Sequence, residues 1–184
     1  MDELIDIVDQ NGNLTGASIM KFEAHRQGIW HACINVWLYT DDGEVLIQKR
    51  VHDKDTFPNK WDVSVAGHIG AGETAIDSAQ RELAEELGVE VELDALFEVG
   101  SYASDVRHSE TLIDREFHYV YIAKLNKKVE DIVLQPEEVA AVKLISISDF
   151  KQELSNINNI DTYVPYTDEY YTMVFDAIRQ KLLR

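Results

Sequence analysis

The stretch from Gly67 to Val89 reads GHIGAGETAIDSAQRELAEELGV. It places Glu82, Glu85 and Glu86 at i, i+3 and i+4, which on a helix is one face. Like charges at that spacing repel by about 0.2–0.5 kcal/mol per pair, and a helix with no other duty alternates signs there. A hard divalent cation turns the repulsion into attraction, because Mg²⁺ and Mn²⁺ prefer carboxylate oxygen and water. A helix that merely carries Glu and Ala on a wet surface explains three acids alone equally well, so the surrounding residues decide.

Those residues describe a loop entering a helix. Gly67, Gly70 and Gly72 permit unusual backbone angles. Thr74 with Asp77 has the form of a capping box. Ala75, Ile76, Ala79, Leu83 and Leu87 make an apolar stripe beside the acids, and Gly88 stands where a C-terminal cap belongs.

Taken whole, the pattern G, five residues, E, seven residues, R-E-aliphatic-x-E-E-x-G-aliphatic resembles a complete Nudix box. That resemblance implies the Nudix fold, a mixed β-sheet between helices. It also implies a hydrolase that cuts a diphosphate linkage in a nucleoside diphosphate joined to another group, with Mg²⁺ or Mn²⁺ as cofactor. Carried over residue by residue, the Gly67 carbonyl, Glu82, Glu85 and Glu86 match the metal ligands. Arg81 and Glu73 match a pair that braces the loop against the helix, and Glu82 or Glu85 matches the group orienting the attacking water. Outside the box, Glu116 is a candidate extra ligand or base, with Asp114 and Glu110 as rivals. Lys49, Arg50, Lys54, Lys60 and Arg107 are candidates for binding phosphate, although each is equally an ordinary surface charge. Trp61 and Phe57 are candidates to stack on a base or to fill the core. The implied partner is a small-molecule diphosphate, and the family's habits leave a homodimer open.

A second resemblance covers about residues 3 to 150. VDQNG, His25, WHACINVWL, VLIQKR and PNKWDVSVAGH are similar to isopentenyl-diphosphate isomerase, a Nudix relative that moves protons. Its metal-binding histidines and acid would match His25, His31, His68 and Glu116. The isomerase has a catalytic cysteine directly before the Gly-His pair; here that position is Ala66, which cannot carry a proton. An isomerase-like enzyme and a catalytically silent nucleotide-binding module are the alternatives to a hydrolase.

With 184 residues, the chain suits one domain, with residues 1–30 as a strand and arm and 165–184 as a C-terminal helix packed on it. The 34 acidic and 17 basic residues give a net charge of -17, which argues against non-specific nucleic-acid binding. A bound cation would let so acidic a protein accept an anion. Cys33, the one cysteine, lies in an apolar run and reads as a core residue. The N-terminus resembles no targeting peptide and no segment is apolar enough to span a membrane, so a cytoplasmic protein is expected.

Periodicity places strands at Leu4–Asp9, Trp30–Thr40, Glu44–Arg50, Trp61–Val65, Val91–Ser101, Arg115–Leu125 and Val139–Ile145. Asp41-Asp42-Gly43 predicts a hairpin between the second and third. Ala17–His25 reads as a short helix or an extended arm. Val51–Lys60, Asp105–Ile113 and Ser155–Pro165 read as loops. Helices are expected from Ser148, as N-cap, to Leu154 and over Thr167–Arg184. This order predicts an α+β chain folded as an α/β/α sandwich.

Overall fold

A computed structural model describes residues 2–159 and 161–183. Ile160 in the expected loop and Arg184 at the end of the expected terminal helix lie outside the described residues.

The organising strand is β3 (His31–Tyr39), in which every residue is buried. A strand covered on both faces needs apolar residues in nearly every position, and HACINVWLY supplies them except at three alternate places. Ala32, Ile34, Val36 and Leu38 face one side, where they pack with Leu83 and Leu87 of α2 (Ala75–Leu87). Trp37 and Tyr39 face the other, against Phe150 of α3 (Ile147–Ser155) and Val174, Phe175 and Ile178 of α4 (Asp168–Leu182). Trp37 meets Tyr171 and Phe175 edge to face at 6.2 and 6.0 Å. The polar alternate residues His31, Cys33 and Asn35 share this second face but lie at its other end.

The sheet is mixed. β8 (Ile113–Lys124) runs parallel to β3 from His31↔Glu116 to Tyr39↔Lys124. β7 (Phe97–Arg107) pairs antiparallel outside β8. On the opposite edge of β3, β1 (Leu4–Val8) touches at Ile7↔His31, and β6 (Val65–His68) pairs from Cys33↔His68 to Val36↔Val65. β4 (Glu44–Arg50) joins β3 only at Tyr39↔Val45. The hairpin expected there is therefore confined to its turn. β4 leaves to pair with β9 (Val139–Ser146) and β5 (Trp61–Asp62), because β6 takes its place beside β3. Residues from both sides of this split line the main cavity.

Four other expectations shift. The strand expected over Trp61–Val65 divides into β5 and β6, which pair with different neighbours, β4 and β3. The ambiguous stretch at Ala17–His25 divides into β2 (Leu14–Met20), paired with β1, and α1 (Lys21–Gln27), which ends on Gly28 at φ 64°. The strand expected over Val91–Ser101 begins instead at Phe97 and runs to Arg107, so the loop that follows shrinks to residues 108–112. The N-cap of α3 is Ser146, whose hydroxyl accepts from the Asp149 amide at 3.0 Å, two residues before Ser148. Among the described residues, no helix is long and apolar enough to cross a membrane.

Candidate active site

Strand register assembles half of the site. His31, Glu116 and Ser104 form one row across β3, β8 and β7. His68, Cys33, His118 and Tyr102 form the next, and Ala66 pairs with Asn35 in the row beyond. α1 brings His25 over the first two rows. Its Nε2 lies 3.2 Å from His31 Nε2 and 3.3 Å from His68 Nε2. Glu116 Oε1 is 3.6 Å from both His31 and His68, and Oε2 is 3.3 Å from His118. Donor atoms of His25, His31, His68 and Glu116 thus lie within 4.8 Å of one another. His31 Nδ1 donates to the Ile29 carbonyl at 2.9 Å, which frees Nε2 as a ligand atom.

Electrostatics in this cluster follow from burial and from Glu116. Burial opposes protonation of His31, yet the adjoining carboxylate raises its pKa. Burial, then the nearby His31, pushes His25 down to about 4. Burial opposes the charge on Glu116, but the His31 hydrogen bond and neighbouring imidazoles outweigh it and hold the carboxyl well below its usual range. Asp114, buried beside Glu116, is pushed up to about 6 and bonds to His108 at 2.9 Å.

α2 supplies the other half. Thr74 caps it by accepting from the Asp77 amide, and Gly88 closes it at φ 59°. Arg81 is its hub. The guanidinium donates to Glu73 at 3.0 Å, Glu82 at 2.7 Å, Glu85 at 3.1 Å and the His68 carbonyl at 3.2 Å. Glu86 is buried and accepts from Gln48 Nε2 at 3.0 Å. Burial raises the pKa of Glu82, and burial together with Glu82 pushes Glu86 up to about 8. Both shifts express first the cost of burying a carboxylate, which Arg81 offsets in part for Glu82. Gly67 matters through what it lacks, since a β-carbon there would fall 2.5 Å from Glu82 Oε1.

One cavity of about 400 Å³ joins the halves. Gly67, Arg81, Glu82, Glu85, Glu86 and Glu116 all line it, as do His25, His68, Arg50, Lys54, Phe57 and Asp114. Arg50 reaches the cavity with its donors committed, to the Thr56 carbonyl at 3.1 Å and to Asp62 at 3.1 Å, so it also pins the loop before β5. Lys54 pairs with Glu138. Lys49, Lys60, Trp61, Arg107 and Glu110 do not line the cavity. Lys60 faces Asp161 at 3.7 Å, and Trp61 lies under Lys143 at 4.6 Å. Cys33 is buried as expected but also borders the cavity. Lys21, Asn35, Asp62, Tyr102, His118 and Tyr166 are lining residues absent from the sequence-based candidates. The alternation His31-x-Cys33-x-Asn35 in an otherwise apolar strand was the available signal for Asn35 alone; the others come from elements that only the fold brings here.

The NUDIX domain family profile matches residues 30–165, which hold every lining residue named above except Lys21 and His25 before that span and Tyr166 after it. The chain belongs to the Nudix hydrolase family. Nudix hydrolase 3 of Arabidopsis thaliana is 38% identical over 185 residues, covering 98% of this chain and 24% of that longer protein. The chain therefore spans about a quarter of that relative's length. An isopentenyl-diphosphate Delta-isomerase of Serratia proteamaculans is 31% identical over 138 residues, 75% of this chain and 73% of its own. The crystal structure of a Deinococcus radiodurans protein shares the fold at TM-score 0.71 and 24% identity, over 92% of this chain and 98% of that one. This Nudix enzyme thus has the fold its box implied, a mixed sheet between helices, and its isomerase likeness is real at the level of sequence.

Proposed function

We propose that this Nudix enzyme hydrolyses a diphosphate linkage in a nucleoside diphosphate joined to another group, or in a similar organic diphosphate, with Mg²⁺ or Mn²⁺ held by Glu82, Glu85, Glu86 and the Gly67 carbonyl. The observation that carries this reading is the gathering of these residues with Arg81 on one cavity wall. The chemistry of this wall suits a hard cation once Arg81, which now holds Glu82 and Glu85, turns aside; the donor atoms that already converge are those of His25, His31, His68 and Glu116. The wall's donors are carboxylates, two of them have raised pKa values, and Gly67 leaves the cradle that Glu82 occupies. When bound, such an ion neutralises diphosphate charge and lowers the pKa of water.

The chain's own residues do the positioning. Glu73 holds Arg81, and Arg81 in turn orients Glu82 and Glu85 toward the cavity. Lys54 and Lys21 line the same space, each paired with a single carboxylate, and offer cationic ends to phosphate oxygen. Glu116 is the further carboxylate, held ionised by its histidines, which suits it to join a cation better than to act as the base.

A second reading, an isomerase-like enzyme, draws on the convergence of His25, His31, His68 and Glu116. Against it stands Ala66, which lines the cavity with a methyl group. The test is a phosphate-release screen of purified protein against organic diphosphates with Mg²⁺ and Mn²⁺. Metal-dependent release supports the hydrolase; conversion of isopentenyl diphosphate without release would support the isomerase.

A further inference from the structure

Cys33 on β3 and His118 on β8 are ladder partners, and the chemistry proposed above uses neither. Both are buried, yet both border the cavity. Glu116, two residues before His118, projects from the same face of β8. Its Oε1 lies toward His31 and His68, and its Oε2 lies 3.3 Å from His118 Nε2. Donor atoms of Cys33, Glu116 and His118 all fall within 4.8 Å of one another. Ser104 Oγ on β7 meets His118 Nε2 at 3.1 Å and steadies the ring. His118 Nδ1 is buried with no partner among the described residues, so no hydrogen bond from that nitrogen commits the imidazole to the core.

This trio differs in kind from the glutamate wall. That wall offers oxygen alone, which suits Mg²⁺ and Mn²⁺; a thiol, an imidazole and one carboxylate suit a softer ion. Two ligands held ~2.1 Å from a tetrahedral zinc ion stand ~3.4 Å apart, close to the 3.3 Å between Glu116 Oε2 and His118 Nε2. We infer that Cys33, His118 and Glu116 Oε2 form a Zn²⁺ site on the sheet floor of the cavity. As the ion binds, the Cys33 thiol proton leaves to solvent and the sulfur coordinates as thiolate. Three protein donors leave a fourth tetrahedral place, and the cavity that all three residues border supplies water or an anionic oxygen to fill it.

Glu116 ties this site to the histidine cluster. Oε1 belongs with His31 and His68, and Oε2 with His118, so one carboxylate bridges two ion positions of different chemistry. No glutamate of the 67–89 box takes part, so the zinc site stands whether or not a diphosphate is hydrolysed on the glutamate wall.

The test is zinc X-ray absorption on the full chain loaded with excess Zn²⁺ and then freed of unbound ion. Cys33 is the one cysteine, so a thiolate sulfur at ~2.3 Å from zinc reports this site and no other. The wild-type protein should show that sulfur neighbour. Cys33→Ala should lose it and retain one zinc ion fewer per chain in equilibrium dialysis. A wild-type spectrum with nitrogen and oxygen neighbours alone overturns the inference, and so does a Cys33→Ala protein that retains as many ions as the wild type. The wild-type spectrum needs no variant, so it decides the matter even where Cys33→Ala fails to fold.

Discussion

Glu82 lies so close over Gly67 that a β-carbon built on the glycine would fall 2.4 Å from the Glu82 carboxyl carbon. No side chain fits there unless Glu82 moves. Gly67 is thus required by a carboxylate fifteen positions away in sequence but adjacent in space, and its backbone angle is not among the left-handed ones. Gly67→Ala should lower kcat by about a hundredfold, as displacement of a positioned group does, with a small effect on melting temperature. Steady-state kinetics beside a thermal melt checks it; unchanged kcat would show that the position of Glu82 is immaterial.

Glu85 is the most exposed of the three box acids, bound only to Arg81, so its removal disturbs folding least. Glu85→Gln should reduce metal-dependent turnover by about a hundredfold or more while the circular dichroism spectrum and melt stay native. Near-native turnover would count against the mechanism.

Glu86 sets a pH dependence of stability. Its pKa is about 8 in the metal-free fold against an ordinary 4.5, with burial the main cause and Glu82 the next. The folded state therefore holds this proton more tightly than the unfolded chain does. The stabilisation is complete below the ordinary value and is lost as pH rises through about 8. Metal-free protein should melt at falling temperature across that window, and Glu86→Gln should flatten the decline. Parallel pH profiles for wild type and Glu86→Gln would show that another group is responsible.

The Tyr170 hydroxyl accepts from Trp37 Nε1 and Asn35 Nδ2, both at 2.9 Å and both in the buried interior. Tyr170→Phe strands two donors and should cost about 1–3 kcal/mol in urea unfolding. A neutral result would show that the two donors find other partners.

The box was legible because its chemistry is local. Caps, stripe and acids of α2 all fall within one helix and the loop before it, and Thr74, Leu83 and Gly88 take the roles their types suggest. The central strand was legible from its apolar run. The strand neighbours were not, because nothing in the turn at Asp41–Gly43 reveals that β6 displaces β4 from the edge of β3. The same long-range pairing hid Asn35 and Tyr102 from the candidate site, since rows across β3, β6, β7 and β8 place them there. Lys49 and Lys60 illustrate the converse. Charge type nominated them, but only their placement excludes them from the cavity wall.

The most direct measurement is anomalous diffraction from crystals soaked in Mn²⁺. The account predicts a peak bridged by the carboxylates of Glu82, Glu85 and Glu86 beside the Gly67 carbonyl, with Arg81 turned aside. A peak confined to His25, His31, His68 and Glu116, with those three glutamates still held by Arg81 and Gln48, would contradict it.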